Sequence, residues 1–292
     1  MAGPLVFSDS VGMGATMNIL ASDELRGRDT GTEGIEKAAL FLEEHLEQYG
    51  IRPYFETYRD TLSNSKVAAY NIVGVLEGSD PELKDEFILI GAHYDHIGVL
   101  PGKSGDGIAN GANDNASGTT TVLELARYFG DSKATKRSLI FAFFSAEERG
   151  LLGSRHLAKV LREKGIDLYA MVNFEMTGVP MERPYLMYMT GYEKSNLAEL
   201  CNRYGGEDLV GYLPTASQYQ LFQRSDNFAF YEEFKVPSHT FSTFDFENYD
   251  FYHQPGDEAS RMDFGHMANL VNRMIPALSG IANAEGREIT SK

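Results

Sequence analysis

Apolar segments with the length of β-strands alternate with segments of helical spacing through the middle of this chain. Strand-like runs at 86–91, 138–144 and 169–174 are separated by helix-like segments at 115–129 and 151–162. This alternation is typical of parallel strands joined by helical crossovers, with helices covering both faces of the sheet. The sequence therefore predicts an α/β fold, a three-layer α/β/α sandwich with a mixed, mostly parallel sheet of about eight strands.

The flanking segments extend this pattern. Thr32 precedes a run of helical spacing that ends near Gln48, and Gly50 follows it, which predicts a helix over 32–48. A strand-like run at 68–76 is followed by turn residues and then by the run at 86–91, so these two strands are expected to pair antiparallel. The later elements are expected to be strands near 185–189 and 236–241 and helices around 195–204, 226–233 and 263–282.

Composition narrows the class of protein. The chain has 292 residues, no internal repeat and no linker rich in glycine, proline or serine, which predicts one domain over 1–292 with residues 1–18 as an extended N-terminal arm. A net charge of −16 disfavours binding to a nucleic-acid backbone. Cys201 is the only cysteine, which excludes an intramolecular disulfide and a thiolate-rich zinc site, and it is expected to be a buried small hydrophobic residue.

Neither a membrane span nor a signal peptide is visible. The sequence has no apolar run of about 18 residues, the length that a transmembrane helix needs. Its first residues lack a basic region followed by a long apolar one, although a chain whose signal had been removed would look the same.

Two adjacent acids, Glu147 and Glu148, follow the apolar run at 138–144. Side chains of neighbouring residues diverge as they leave a strand, so one carboxylate is able to hold a metal while the other handles protons. The alternative is an ordinary solvated turn, a common place for acidic residues. The pair alone does not decide between these two interpretations.

Similar alternatives apply to His93 and Asp114. His93 and Asp95 follow the strand at 86–91; they form either a metal-binding histidine oriented by an acid or a surface ion pair. Asp114 lies in a loop of small residues that opens a helix, so it either caps the helix or bridges two cations.

An acid, Glu175, ends the strand at 169–174, and His253 lies in an aromatic loop after the strand at 236–241. In open α/β sheets, ligands bind beyond the carboxyl ends of the strands, so these side chains and those described above are expected to converge on one crevice. Imidazole and carboxylate ligands without thiolates favour zinc, cobalt or manganese. Three carboxylates and one hydroxide also balance the charge of two divalent cations.

Several segments resemble the two-zinc exopeptidases that include bacterial leucyl aminopeptidases, glutamate carboxypeptidases and glutaminyl cyclases. The resemblance covers nearly everything from Ile19 onward and is carried by five blocks in addition to the stretch Leu25-Arg26-Gly27-Arg28. The five blocks are His93-Tyr94-Asp95, Asn113-Asp114-Asn115-Ala116-Ser117-Gly118, Glu147-Glu148-Arg149-Gly150-Leu151-Leu152-Gly153-Ser154, Asn173-Phe174-Glu175-Met176 and Tyr252-His253.

The resemblance implies two divalent metal ions, most often zinc, and a role for each matching residue. Asp114 would bridge the ions, with Glu148 and His253 completing one site and His93 and Glu175 the other. Glu147 would remain as the general base, and Asp95 would orient His93. The peptide bond after the bridging aspartate is typically cis in the family, which makes the bond between Asp114 and Asn115 a candidate.

Two positions depart from the family pattern. The family more often has aspartate where Glu175 stands, which puts metal spacing and occupancy in question. The stretch Arg224-Ser225-Asp226-Asn227 resembles one that often ends in histidine, so the substrate role usually given to that histidine is in question here. There is also little room between strands for the inserted lid domain of some larger relatives.

The resemblance implies an aminopeptidase that acts on peptides with a free N-terminus, in which a metal-bridged hydroxide attacks the scissile carbonyl. Aromatic loops around 212–219 and 241–252 are expected either to wall a pocket for an apolar side chain or to belong to the core. A cyclase-like acyltransferase, a carboxypeptidase and a non-catalytic binding module are the alternatives. Because the family is mostly exported, the resemblance implies a periplasmic or secreted protein, with a cytoplasmic one as the alternative.

Overall fold

The computed structural model describes residues 6–102 and 105–292, and residues 1–5, part of the expected arm, lie outside the described residues. Nine strands form one sheet with the order β1-β3-β5-β4-β6-β9-β7-β8, and β2 pairs with β3 outside this path. The strands are β1 Arg52–Pro53, β2 Arg59–Thr61, β3 Tyr70–Leu76, β4 Glu86–His93, β5 Ser138–Phe144, β6 Asp167–Glu175, β7 Met187–Met189, β8 Val210–Gly211 and β9 Ser238–Ser242.

Helices cover both faces of this sheet, as the alternation predicts. The α-helices are α1 Ser10–Leu20, α2 Glu33–Gln48, α3 Gly118–Ser132, α4 Leu152–Glu163, α5 Leu197–Gly205, α6 Pro214–Gln218, α7 Asn227–Phe234 and α8 Phe264–Asn283. Helices α1, α2, α3, α5 and α8 contribute to the apolar core on one face, whereas α4 and α7 contribute to the core on the other. The α/β fold with a sheet that is parallel at its centre is therefore confirmed.

Strand β5 explains why its residues 139–144 are all apolar. Leu139, Phe141 and Phe143 pack in the core on one face of the sheet, and Ile140 and Phe144 pack in the core on the other. Successive side chains of a strand point to opposite faces, so a central strand covered on both faces favours apolar residues at consecutive positions. All its residues are buried.

The expected antiparallel pairing of β3 with β4 is wrong. Strand β5 lies between them, antiparallel to β3 and parallel to β4. Hydrophobic periodicity reports which face of a strand is buried, but it does not report which strand lies beside it in the sheet. Strands β3 and β4 are consecutive in sequence and yet do not pair.

Residues 10–18 do not form an extended arm. They belong to α1, whose first turn is capped by the Asp9 carboxylate through the amides of Val11 and Gly12. Met13 and Met17 of this helix are fully buried. The segment is therefore part of the core and not an appendage to it.

Two further properties follow from the described residues. Cys201 is buried, as expected, and burial raises the pKa of its thiol to about 12. Within residues 6–102 and 105–292, no helix combines the length and the apolar character needed to cross a bilayer.

Candidate metal centre

The carboxyl ends of the central strands bring the predicted residues to one edge of the sheet. His93 ends β4 and is in register with Phe144, the last residue of β5, from which the chain continues to Glu147 and Glu148. Glu175 ends β6 and is in register with the last residue of β9. Because these strands run parallel, their terminal side chains meet in a common crevice.

An irregular turn over 112–117 carries Asp114 into this crevice. The peptide bond between Asp114 and Asn115 is cis, as the resemblance implied. The amides of Asn113 and Asp114 donate to the two carboxylate oxygens of Asp257, at 2.7 and 3.0 Å. The Asn115 side chain donates to the Phe174 carbonyl at 3.0 Å, so the turn is attached both to the 257 loop and to the end of β6.

Asp114 lies between two groups of donor atoms. Its Oδ1 is 3.3 Å from His93 Nε2, and its Oδ2 is 3.1 Å from His253 Nε2. His253 Nε2 is also 3.1 Å from Glu148 Oε2. Each carboxylate oxygen of Asp114 therefore faces a different histidine.

Ligand-type atoms in the crevice form two clusters, each with all its members within 4.8 Å of one another. One consists of His96, Asp114, Glu148 and His253, and the other of His93, Glu147 and Glu175. All five residues predicted as metal ligands thus come together, along with Glu147 and one histidine that was not predicted. The predicted roles of these residues stay predictions.

The residues present fit divalent cations. His93 Nε2 and His253 Nε2 are buried, and neither makes a hydrogen bond of acceptable geometry within the part of the chain that the structure describes. Both nitrogens nevertheless lie 3.1–3.3 Å from carboxylate oxygens. Lone pairs and carboxylates that converge without pairing are the donor set expected around a cation such as zinc.

The charges of the crevice agree with this. Burial alone would lower the pKa of His93, but the carboxylates of Glu147, Asp114 and Asp95 outweigh burial and raise that pKa well above its usual value. Burial likewise opposes protonation of His253, yet the adjacent carboxylates of Asp114 and Glu148 raise its pKa to about 10. The centre is therefore a strongly negative environment that stabilises bound positive charge.

Asp95 has more contacts than the predicted one with His93. Its Oδ1 accepts the amide of Glu147 at 3.1 Å and its Oδ2 that of Glu148 at 3.4 Å. His93 Nδ1 lies 3.2 Å from the backbone carbonyl of Asp95 and 3.6 Å from its carboxylate. The Asp95 carboxylate thus fixes the Glu147–Glu148 turn, while its carbonyl is the nearer partner of the His93 ring.

A family model of known peptidases, described as Peptidase family M28, matches residues 71–277, which is more than half of the chain. The chain belongs to peptidase family M28. The matched region contains all the residues of the two clusters. Membership confirms the family inferred from the sequence motifs.

Curated relatives of this M28 chain match over one segment. A probable zinc metalloprotease of Pyrenophora tritici-repentis is 41% identical over 107 residues, 37% of this chain and 24% of the relative. Aminopeptidase YwaD of Bacillus subtilis is 34% identical over 120 residues, 41% of this chain and 24% of the relative. A probable leucine aminopeptidase of Trichophyton verrucosum is 37% identical over 103 residues, 34% of this chain and 28% of the relative. The match spans about a quarter of the length of these relatives.

Solved structures share the fold of this M28 chain over nearly its whole length. The zinc aminopeptidase BSAP of Bacillus subtilis has a TM-score of 0.72 at 17% identity and covers 96% of this chain and 97% of its own. The LapA aminopeptidase of Legionella pneumophila has a TM-score of 0.70 at 24% identity, and the match covers 94% of this chain and 72% of LapA. Glutaminyl cyclase of Porphyromonas gingivalis has a TM-score of 0.71 at 17% identity, and the match covers 94% of this chain and 98% of the cyclase.

Three residues of the M28 centre were not identified from the sequence. His96 directly follows the motif His93-Tyr94-Asp95. Asp257 lies in the aromatic 249–257 loop, and Ser225, whose hydroxyl donates to Glu175, lies in the 224–227 stretch. The contacts of both residues depend on loop geometry, which the spacing of residues in the sequence does not report.

Asn227 stands where the family often has histidine, and its contacts are structural. Its side-chain amide donates to the carbonyls of Phe222 and Ser238 at 3.1 Å, and its oxygen accepts from the Thr240 hydroxyl at 2.8 Å. The side chain is fully buried. A role in contacting substrate is therefore not available to it in this arrangement.

Proposed function

We propose that the chain is a zinc-dependent aminopeptidase that hydrolyses N-terminal residues from peptides, with two zinc ions and with Glu147 as the general base. The main support for this proposal is the position of Asp114, which has one carboxylate oxygen beside His93 and the other beside His253. A carboxylate shared in this way suits two cations a short distance apart. The names of the relatives, which include zinc metalloproteases and leucine aminopeptidases, support the same activity.

The two clusters support a ligand set for the two ions. Glu148 and His253 would hold one ion and His93 and Glu175 the other, with Asp114 shared. Glu175 replaces the aspartate more common in the family, and Ser225 donates a hydrogen bond to its Oε2. That hydrogen bond would limit the freedom of the longer side chain, because it restrains one of the two carboxylate oxygens.

Bound zinc would supply Lewis-acid polarisation of the scissile carbonyl and would lower the pKa of water. The protein then has to move one proton. Glu147 accepts it from the attacking water and returns it to the leaving amine as the carbon–nitrogen bond breaks, so that the products are a free amino acid and a shortened peptide.

The different surroundings of the two adjacent acids support this division of roles. The Glu148 carboxylate contacts His96 and His253, whereas no hydrogen bond or ion pair among the described residues engages the carboxylate of Glu147. Burial, reinforced by the carboxylates of Glu175 and Asp226 against the opposing effect of His93, raises the pKa of Glu147 well above its usual value. An unengaged carboxylate with a raised pKa suits a general base near neutral pH.

A pocket next to the centre would receive the side chain of the N-terminal residue. Its walls combine aromatic and aliphatic side chains with hydroxyls and one arginine, and they include Glu175, Met176, Tyr188, Leu221, Arg224, Phe244, Phe246 and Tyr252. The expected contribution of the 241–252 loop is therefore present. No residue of 212–219 lines this pocket, but Tyr219 packs edge-on against Phe246, with ring centroids 4.9 Å apart, behind the wall.

The proposal is tested with fluorogenic aminoacyl substrates, the same compounds with a blocked amine, peptides with a variable C-terminal residue, and peptides that begin with glutamine. Each is assayed with zinc and after treatment with a chelator. Aminopeptidase activity predicts chelator-sensitive release from the free-amine substrates alone.

Other outcomes would redirect the proposal. Cleavage restricted to C-terminal residues would indicate a carboxypeptidase, and cyclisation of N-terminal glutamine without hydrolysis would indicate an acyltransferase. Turnover that survives complete removal of metal would contradict the proposed chemistry. A protein that binds zinc but turns over none of these substrates would point to a binding module.

A further inference from the structure

His96 is fully buried at the edge of the metal centre and is not among the residues predicted to act there. Its Nδ1 lies 2.9 Å from Glu148 Oε1 and 3.7 Å from Asp114 Oδ2. The ring is therefore paired with one proposed zinc ligand and close to a second. The question is whether it binds metal or holds a residue that does.

The two oxygens of Glu148 have different neighbours. Oε1 is beside His96 Nδ1, whereas Oε2 is 3.1 Å from His253 Nε2, which in turn is 3.1 Å from Asp114 Oδ2. The atoms Glu148 Oε2, Asp114 Oδ2 and His253 Nε2 thus form one compact group. His96 Nδ1 borders this group, closest to Glu148 Oε1 at 2.9 Å and farther from Asp114 Oδ2 at 3.7 Å. A ring nitrogen that donates its hydrogen to Oε1 has no lone pair left for a metal.

The surrounding backbone is built around the His96 ring. The His96 amide donates to the Arg28 carbonyl at 3.2 Å, which fixes the start of the side chain. At Gly111, φ is +59°, and a Cβ atom there would be 2.5 Å from His96 Cγ and Cδ2. Any side chain at 111 would displace the ring, so the loop that leads to Asp114 leaves room for this histidine.

Holding Glu148 has a physical advantage. A glutamate side chain has three rotatable bonds, and ordering it costs conformational entropy. A hydrogen bond from His96 Nδ1 to Oε1 orders the carboxylate before metal arrives and leaves only Oε2 directed at the His253 side. Partners of this kind typically change metal affinity by about 10–100-fold.

We propose that His96 is a positioning residue that orients Glu148, so that the ion held by Glu148 and His253 binds more tightly. The proposal rests on the metal centre of the proposed function. It assigns to His96 the donation of one hydrogen bond through Nδ1 and not a bond to metal.

The test compares variants that keep or remove a donor at the position of Nδ1. His96→Asn places its amide nitrogen near that position, whereas His96→Ala removes the donor. His156→Ala is the matched control, because His156 also faces an acid, Asp60, at 3.3 Å but lies on α4 outside both clusters. Zinc affinity of the metal-free proteins is measured by competition with a chromophoric chelator, and urea unfolding checks that each variant is folded.

Two zinc dissociation constants are measured for each protein. His96→Ala is expected to raise one of them by about 10–100-fold and to leave the other unchanged. His96→Asn is expected to stay within a few-fold of the parent protein, and His156→Ala to match it. Cobalt substitution adds a second readout: the visible absorption band of the His96→Asn protein should match that of the parent, since no ligand has been lost.

Two results would overturn the inference. Unchanged zinc affinity in His96→Ala would remove any role in positioning. Equal losses in His96→Asn and His96→Ala with a changed cobalt spectrum would make His96 a ligand instead. If the parent protein itself binds no zinc, it is the proposed function that fails.

Discussion

Glu147 and Glu148 are neighbours in sequence, yet their contacts separate their roles. The amides of both are fixed by Asp95, but only the Glu148 carboxylate contacts the histidines of the centre. Proton transfer requires a carboxylate that is able to accept a proton, whereas metal binding requires a charged ligand. The two residues should therefore respond differently to the same substitution.

Glu147→Gln is expected to keep both zinc ions and to lower kcat by about a hundredfold or more, because the amide cannot accept the proton of water. Glu148→Gln is expected to lose zinc, because a neutral amide oxygen is a weaker ligand. Elemental analysis together with kcat separates the two outcomes. Full activity in Glu147→Gln would refute its assignment as general base.

His239 gives a pH-dependent contribution to stability away from the metal centre. It is buried between the Ser195 hydroxyl at 2.7 Å and the Thr190 carbonyl at 2.8 Å, and burial lowers its pKa to about 4. The unfolded chain, with a histidine pKa of about 6.5, binds more protons between these values. The contribution of His239 is therefore fully present above pH 6.5 and is lost as the pH falls through about 4.

We expect His239 to account for a loss of about 3 kcal/mol in the free energy of unfolding between pH 7 and pH 4. His239→Asn should unfold with a shallower pH dependence than the parent protein, measured by urea titration with chelator present so that zinc loss does not contribute. Parallel pH curves for the two proteins would show that His239 does not titrate in this way.

The 112–117 turn places Asp114, and the Asp257 carboxylate fastens the start of this turn. This fully buried carboxylate accepts the amides of Asn113 and Asp114 and the Tyr249 hydroxyl, the last at 2.6 Å. The backbone angles of Asp114 and Asn115 are not helical, so regular helix geometry does not fix this part of the turn. The Asp257 carboxylate therefore helps to hold Asp114 in place.

Asp257→Asn should lower the free energy of unfolding by about 1–3 kcal/mol, because the amide leaves one buried backbone N–H without an acceptor. It should also weaken zinc binding, since Asp114 would no longer be held in place. Tyr249→Phe removes one hydrogen bond but no charge, so a loss of about 1 kcal/mol is expected for this control. Equal stability and zinc affinity in Asp257→Asn and the parent would show that the turn holds its shape unaided.

Local sequence patterns were sufficient to predict most helices and strands. The apolar run of β5 and the helical spacing of α2 report burial directly, so their bounds agree with the structure to within about two residues. Strand order was not available, since β5 inserts between β3 and β4 through contacts distant in sequence. The ligands could be found because strand ends converge, whereas His96 and Asp257 act through loops whose paths spacing does not encode.

Arg28 has a structural role that the sequence alone does not reveal. It is buried, and its guanidinium donates to the carbonyls of Leu20, Tyr94, Asn110 and Gly111. It joins the end of α1 to the segments on either side of the metal centre. The sequence marked 25–28 as part of a family motif, but only the fold shows that this arginine binds backbone carbonyls and not a substrate.

The metal centre joins parts of the chain that are distant in sequence. Its proposed ligands come from the end of β4, the 112–117 turn, the residues after β5, the end of β6 and the 253 loop. The same strands contribute to the apolar cores on both faces of the sheet. We propose that the chain is one domain and that zinc stabilises all of it, because opening any one of these segments releases the metal.

Unfolding of the zinc-loaded protein should then be a single transition, with the same midpoint by far-ultraviolet circular dichroism and by tyrosine fluorescence, which is usable because the chain has 16 tyrosines and no tryptophan. Free zinc at 100 times the dissociation constant should add about 2.7 kcal/mol per site, and a chelator should remove it. Glu148→Gln should lose part of this dependence, whereas Glu147→Gln should keep all of it. Two separate transitions, with only one sensitive to zinc, would instead divide the chain into a metal-binding unit and an independent remainder.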